Sequence, residues 1–170
     1  MAEERVSNEL FLLTYGAMVS QFLRDLGSVD AVNDKLDEMG KNIGARVVDE
    51  YLARAEVTER PTFPQTADHL AKHAIPMFLG VTCSHTAVTD DSTNYTLTFD
   101  SNPVAQWVTL PDELKGLKYS QMLCGVVKGA LEQLSLLVRV AIVEDTLTGG
   151  DKLKLKVTLE SVIQSSFKGE

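Results

Sequence analysis

Two stretches with helical rhythm each carry a pair of glycines four residues apart. They are "DEMGKNIGARVV", with Gly40 and Gly44, and "MLCGVVKGALEQL", with Gly125 and Gly129. Each glycine costs a helix interior about 1 kcal/mol relative to alanine. At that spacing both members of a pair share one helix face and leave its backbone uncovered. Something must gain from the closeness, either a neighbouring helix or a narrow apolar ligand seated in the slot. In a chain read as water-soluble, this spacing signals close packing rather than membrane dimerisation. The apolar runs are broken by charge well short of the ~18 residues a membrane span needs.

The rest of the pattern builds around these stretches. In "SNELFLLTYGAMVSQFLRDL", Leu10, Phe11, Tyr15, Met18, Val19, Phe22 and Leu26 recur at three- and four-residue steps behind Ser7, a cap candidate. Leu12 and Leu13 widen the arc, so this helix is either central or packs on a partner as well as on its own core. The second helix carries the stripe Val32, Leu36, Met39, Ile43, Val47 and Tyr51, with Asp30 able to cap it. After the loop "EVTERPTFPQ", a third helix is expected over "TADHLAKHAIPMFLGV", with Thr66 as cap and Pro76 breaking or kinking it unless it ends near Ala74. "CSHTAVTDDSTN" reads as loop or weak edge strand. "NYTLTFD" alternates as a strand, and "VAQWVTL" is expected to complete a hairpin with it across "SNP". A fourth helix is expected from Tyr119 to Leu137. "RVAIVEDTL" and "KLKLKVTL" then form a second hairpin across "TGGD", with Lys152, Lys154 and Lys156 outward and Leu153, Leu155 and Val157 inward. The order ααα-ββ-α-ββ predicts an α+β fold with helices on one side of a small antiparallel sheet. One domain is expected over 1–170, ordered from about 7 to 160, with a short C-terminal tail.

Charge and cysteine usage narrow the function. The formal net charge is −8 and the pI about 4.9, which argues against a nucleic-acid binder, since phosphate contacts need a basic face. It also argues against broad adsorption to an anionic membrane. The two cysteines, Cys83 and Cys124, make neither a disulfide framework nor a zinc motif, and a reduced thiol pair is expected. The N-terminus lacks the basic and small-residue features of a signal peptide. His69 and His73 share a helix face as ligands might, but Leu70 stands where HEXXH needs glutamate, so ordinary helix histidines are expected and no metal. Cys124 lies mid-helix among Leu123, Val126 and Val127, the setting of an inert thiol rather than a nucleophile. No phosphate-binding loop or nucleophile elbow occurs, so no catalytic residue and no cofactor are expected.

Four blocks, "NELFLLTYGAMVSQ", "LDEMGKNIGARVVDEYLAR", "NPVAQWVTLP" and "YSQMLCGVVKGALE", with "FPQTADHLAK" between, follow in this order. On them the chain, from about Ser7 to Leu159, resembles the Bet-three family of TRAPP (transport protein particle) core subunits. The resemblance implies a non-enzymatic scaffold of a vesicle-tethering complex in ER-to-Golgi transport, cytoplasmic and peripheral at early Golgi membranes through the complex. It implies dimers through the first two helices, with itself when isolated or with other small TRAPP subunits. Leu10, Phe11, Tyr15, Met18, Phe22, Gly40 and Gly44 would form that interface. It implies contacts to a Rab-type GTPase whose nucleotide exchange the assembled core promotes. It also implies an apolar tunnel for a fatty acyl chain, walled here by Leu70, Ala74, Met77, Val126 and Ala130. In the family the chain is a thioester on a cysteine three residues before the Phe of F-x-x-T-A-D. That Phe is Phe63 here, and Arg60 occupies the acylation position. The tunnel is then expected either to hold lipid non-covalently or to be filled by side chains.

Overall fold

Helix α1 (Asn8–Leu26) follows Ser7 and stops at Gly27, whose positive φ of 69° closes its last turn. Two residues later α2 (Val29–Arg54) begins. Its cap is Ser28, whose Oγ accepts from the Ala31 N–H at 3.2 Å, and not Asp30. In this computed structural model, residues 7–57 and 59–163 are described. The expected tail over 164–170 lies outside the described residues.

The third helical stretch starts earlier than its periodicity suggests. α3 (Phe63–Asp68) is entered at Thr62, whose N–H donates to Gln65 Oε1 at 2.8 Å. Pro64 fits the first turn, where no intrahelical donor is needed. The helix also runs through Pro76 instead of breaking before it. Residues His69–Ala74 form a π turn, and α4 (Ile75–Leu79) continues to Gly80, with φ 66°. The Ile75 N–H bonds to the Leu70 carbonyl, five residues back. This wider turn gives room to a proline ring that would clash in a regular helix.

The sheet is antiparallel, with β1 (Cys83–His85), β2 (Asn94–Phe99), β3 (Leu136–Glu144) and β4 (Leu153–Val162) in the order β1-β2-β4-β3. Its register sets Tyr95 opposite Val157, Leu97 opposite Leu155, and Phe99 opposite Leu153. All six are buried on the face beneath the helices, while Lys156 and Arg139 of the other face are exposed. The expected α+β order holds, with one exchange. The partner of β2 in the first hairpin is β1, and "VAQWVTL" is not a strand. Buried Asn102 diverts it: its Nδ2 donates to Ser120 Oγ at 2.9 Å and to Asp145 Oδ1 at 3.1 Å, and its Oδ1 accepts from the Val104 N–H at 3.2 Å. A side-chain network replaces a ladder there, and Val104 and Ala105 enter the core as loop residues. α5 (Gln121–Gln133) is shorter than expected, since Ser135, at φ 60°, turns the chain directly into β3.

Candidate functional site

α2 and α5 run parallel, and their glycine pairs face one another. A Cβ added at Gly40 or Gly44 would overlap the Met122 or Val126 carbonyl. One added at Gly125 or Gly129 would overlap the Asp37 or Lys41 carbonyl. The two backbones therefore touch along the whole seam. Polar side chains close its edges. Asp37 accepts from Gln121 Nε2 at 2.9 Å and from Lys128 Nζ at 2.8 Å, and Lys41 pairs with Glu132 at 2.8 Å. Gly40 and Gly44 are thus taken up inside the chain and are not available to a dimer partner. Of the two uses open in the sequence, a neighbouring helix is the one realised. Tyr15 is likewise internal, only 2% exposed, with its hydroxyl donating to the Tyr119 carbonyl at 2.6 Å. Met18 and Phe22 are half-buried against the core, whereas Leu10 and Phe11 are exposed.

The next face of α5 is open. Met122, Val126, Ala130 and Leu134, at four-residue steps, line an apolar cavity of about 280 Å³. That is close to the lower bound of ligand pockets, ~300 Å³. Opposite them stand Ile43, Val47 and Tyr51 of α2, and Leu70, Ala74 and Phe78 of the helical stretch from α3 to α4. Lining residues run from Pro61, just before that stretch, to Leu79 at its end. At ~1.5 Å per residue this is roughly 25 Å of helix, so the cavity is elongated. Of the five expected wall residues, Leu70, Ala74, Val126 and Ala130 line it. Met77 does not and is 41% exposed. The π turn shifts the face by about one residue, so Ile75, Phe78 and Leu79 take its place.

Few polar atoms reach this cavity, and those that do are paired. Thr66 donates to the Phe63 carbonyl at 2.5 Å and accepts from the Tyr95 hydroxyl at 2.9 Å. Tyr51 Oη lies 2.6 Å from His69 Nδ1. Burial raises the Tyr51 hydroxyl pKa. Burial and the neighbouring His73 lower that of His69, which favours the neutral ring. Arg60 does not itself line the cavity but stands beside two residues that do. It precedes Pro61, and its guanidinium donates at 2.9 Å to Ser135 Oγ, next to Leu134. Sequence reasoning missed Pro61, Tyr51, His69 and Phe78 as wall residues. The Tyr51 position on the α2 stripe was the one available hint.

Neither cysteine is poised for chemistry. Cys124 is fully buried and Cys83 nearly so, and burial pushes both thiols up to about 12. Both are free thiols. Among the described residues no group of three or more His, Cys, Asp or Glu could hold a metal, and no helix is long and apolar enough to cross a membrane. A second, shallower groove of about 730 Å³ runs between α1 and residues 107–119. Leu13 and Trp107, 73% and 69% exposed, line it.

A one-sided antiparallel sheet under a glycine-sealed helix pair, with an elongated apolar cavity alongside, defines a small α+β subunit domain. Residues 11–160 match the family model for the transport protein particle (TRAPP) component, and the chain belongs to that family. Within it the chain is similar to trafficking protein particle complex subunit 3. It is 41% identical to that subunit of Dictyostelium discoideum over 162 residues, covering 94% of this chain and 87% of the relative. It is 38% identical to transport protein particle subunit bet3 of Schizosaccharomyces pombe over 165 residues, covering 96% and 90%. A crystal structure of trafficking protein particle complex subunit 3 from Naegleria fowleri, covalently bound to palmitic acid, matches with a TM-score of 0.86 at 35% identity. It covers 92% of this chain and 97% of that one. The family and its named members make this chain a subunit of a vesicle-trafficking complex.

Proposed function

We propose that the chain is a non-catalytic scaffold of a TRAPP-type tethering complex at early Golgi membranes. It dimerises through α1, with itself when isolated and with another small TRAPP subunit in the complex. By contact it contributes to nucleotide exchange on a Rab-type GTPase. The observation that carries this reading is the part of α1 that its own chain leaves uncovered. Leu10, Phe11 and Leu13 are exposed on one helix, with Trp107 across the groove. Large exposed apolar side chains gathered on one helix mark a protein interface more often than an accident of packing. The contact uses α1 and exposed Ile43 of α2, since Gly40, Gly44 and Tyr15 are internal. Sedimentation of the isolated chain at micromolar concentration is expected to give twice the chain mass. Leu13→Asp is expected to give a folded monomer. A wild-type monomer with no affinity for small TRAPP subunits would overturn the reading.

A second reading rests on the cavity, which holds a fatty acyl chain non-covalently. The palmitic acid of the Naegleria fowleri relative supports it. Arginine at the expected acylation position, Arg60, directs it away from a covalent bond. Native mass spectrometry is expected to show an added fatty acid that is lost on denaturation. A protein free of lipid that takes up no palmitate would end it.

A further inference from the structure

The cavity wall offers an ionised head group almost nothing. Tyr51 and His69 engage each other, and Thr66 is used by Phe63 and Tyr95. A carboxylate drawn in among the remaining aliphatic side chains would lose its hydration without a replacement. The polar end of any ligand must therefore stay at a rim, and the two ends of the cavity differ. Phe11, Ile43 and Phe78 are exposed wall residues of apolar type. Pro61 and Leu134 instead bring Arg60 with them.

Arg60 is held beside that end of the cavity. Its guanidinium donates to Ser135 Oγ at 2.9 Å. Ser135 is itself fixed by the tight junction of α5 and β3: its N–H bonds to the Glu132 carbonyl at 2.9 Å, and its carbonyl accepts from the Ile163 N–H at 2.8 Å. A guanidinium has five N–H donors in a planar fork. Among the described residues Arg60 meets no carboxylate within ion-pair distance, so the fork retains donors for an anion. Its geometry suits the two oxygens of a carboxylate better than a lysine ammonium would.

We propose that Arg60 anchors the carboxylate of an unesterified long-chain fatty acid whose chain occupies the cavity, so that this subunit selects the free acid over its uncharged analogues. The inference rests on the acyl-chain reading of the cavity and adds the chemistry of the head group. The test titrates the full chain, stripped of lipid, with palmitate, hexadecanol and methyl palmitate below their aggregation limits. Wild type is expected to bind palmitate roughly five- to tenfold more tightly than either neutral analogue, the size of one exposed charge-assisted contact. The preference should shrink as salt is raised. Arg60→Ala is expected to abolish the preference, lowering palmitate affinity far more than hexadecanol affinity, with circular dichroism reporting that the variant is folded. Arg60→Lys is expected to keep part of it. Equal wild-type affinities for acid and alcohol would overturn the head-group assignment and leave the acyl cavity standing. So would a palmitate preference that survives Arg60→Ala. Binding of none of the three ligands would overturn the cavity reading and this inference with it.

Discussion

α5 presents two faces a few ångströms apart, and they were built to opposite ends. On one, Gly125 and Gly129 let α2 come so close that backbone meets backbone. On the other, Val126 and Ala130 stop short of the helical stretch opposite and leave an elongated apolar cavity. Side-chain size at adjacent positions decides between contact and space. The seam also explains how the cavity survives. A parallel helix pair locked by its backbone cannot drift into the gap beside it, so the space is fixed by rigid neighbours.

The largest effect is expected from breaking the seam. Gly129→Leu gains about 1 kcal/mol in helix propensity, but its side chain has to displace the Lys41 backbone. Overpacking of a tight contact costs typically 1–3 kcal/mol, and more where backbone must move. The net expectation is a loss of about 3 kcal/mol or more in denaturant-unfolding stability, with the cavity lost as α2 is pushed away. Gly129→Ala is the milder companion and is expected to destabilise in the same direction. If it stabilised the protein, the seam would be looser than the contact geometry implies.

Filling the cavity instead should leave the fold nearly intact. Ala130→Phe directs a ring into existing space, so the expected change in stability is within about 1 kcal/mol. Palmitate binding is expected to weaken at least tenfold. The two substitutions lie one residue apart on α5, which makes the contrast direct: Gly129→Leu costs stability, Ala130→Phe costs ligand. A variant at position 130 that unfolds the protein, or one that binds palmitate as wild type does, would erase the distinction.

Much of this was legible in the sequence, for a physical reason. α1, α2, α5, β2 and β4 bury one face each, so periodicity alone located them. The glycine pairs announced a close approach without naming the partner, because spacing fixes a face and not what covers it. The failures have causes that periodicity does not carry. "VAQWVTL" alternates like a strand, but buried Asn102 ties its start to Ser120 and Asp145, and the ladder never forms. Pro76 looked like a stop because a regular helix has no room for its ring, and the π turn before it supplies that room. The same turn moved Met77 out of the cavity wall. The residues expected at a dimer interface divide because the apolar arc of α1 is wider than its own core covers: Tyr15 faces inward, whereas Leu10 and Phe11 are exposed. A stripe wider than the core needs can be seen in sequence, but which residues go to which side cannot.

The smallest effect separates the polar groups of the two regions. The seam is edged by ion pairs, Asp37 with Lys128 and Lys41 with Glu132, whose side chains stay partly in contact with water. The cavity instead holds the Tyr51–His69 pair, and burial lowers the pKa of His69 below its ordinary 6.5. As the pH falls through that ordinary value, the unfolded chain binds a proton at this histidine before the folded one does. Stability attributable to His69 is therefore present at neutral pH, declines below about 6.5, and is fully lost once the pH passes the folded value. Thermal midpoints of wild type and His69→Gln, compared at about pH 7.5 and pH 5.5, should show a larger acid-induced drop in wild type. Tyr51→Phe removes the hydroxyl partner and is expected to cost about 1 kcal/mol at neutral pH. Parallel drops in wild type and His69→Gln would mean that the pair is as accessible to protons as the ion pairs of the seam, and the cavity would then be wetter than its lining implies.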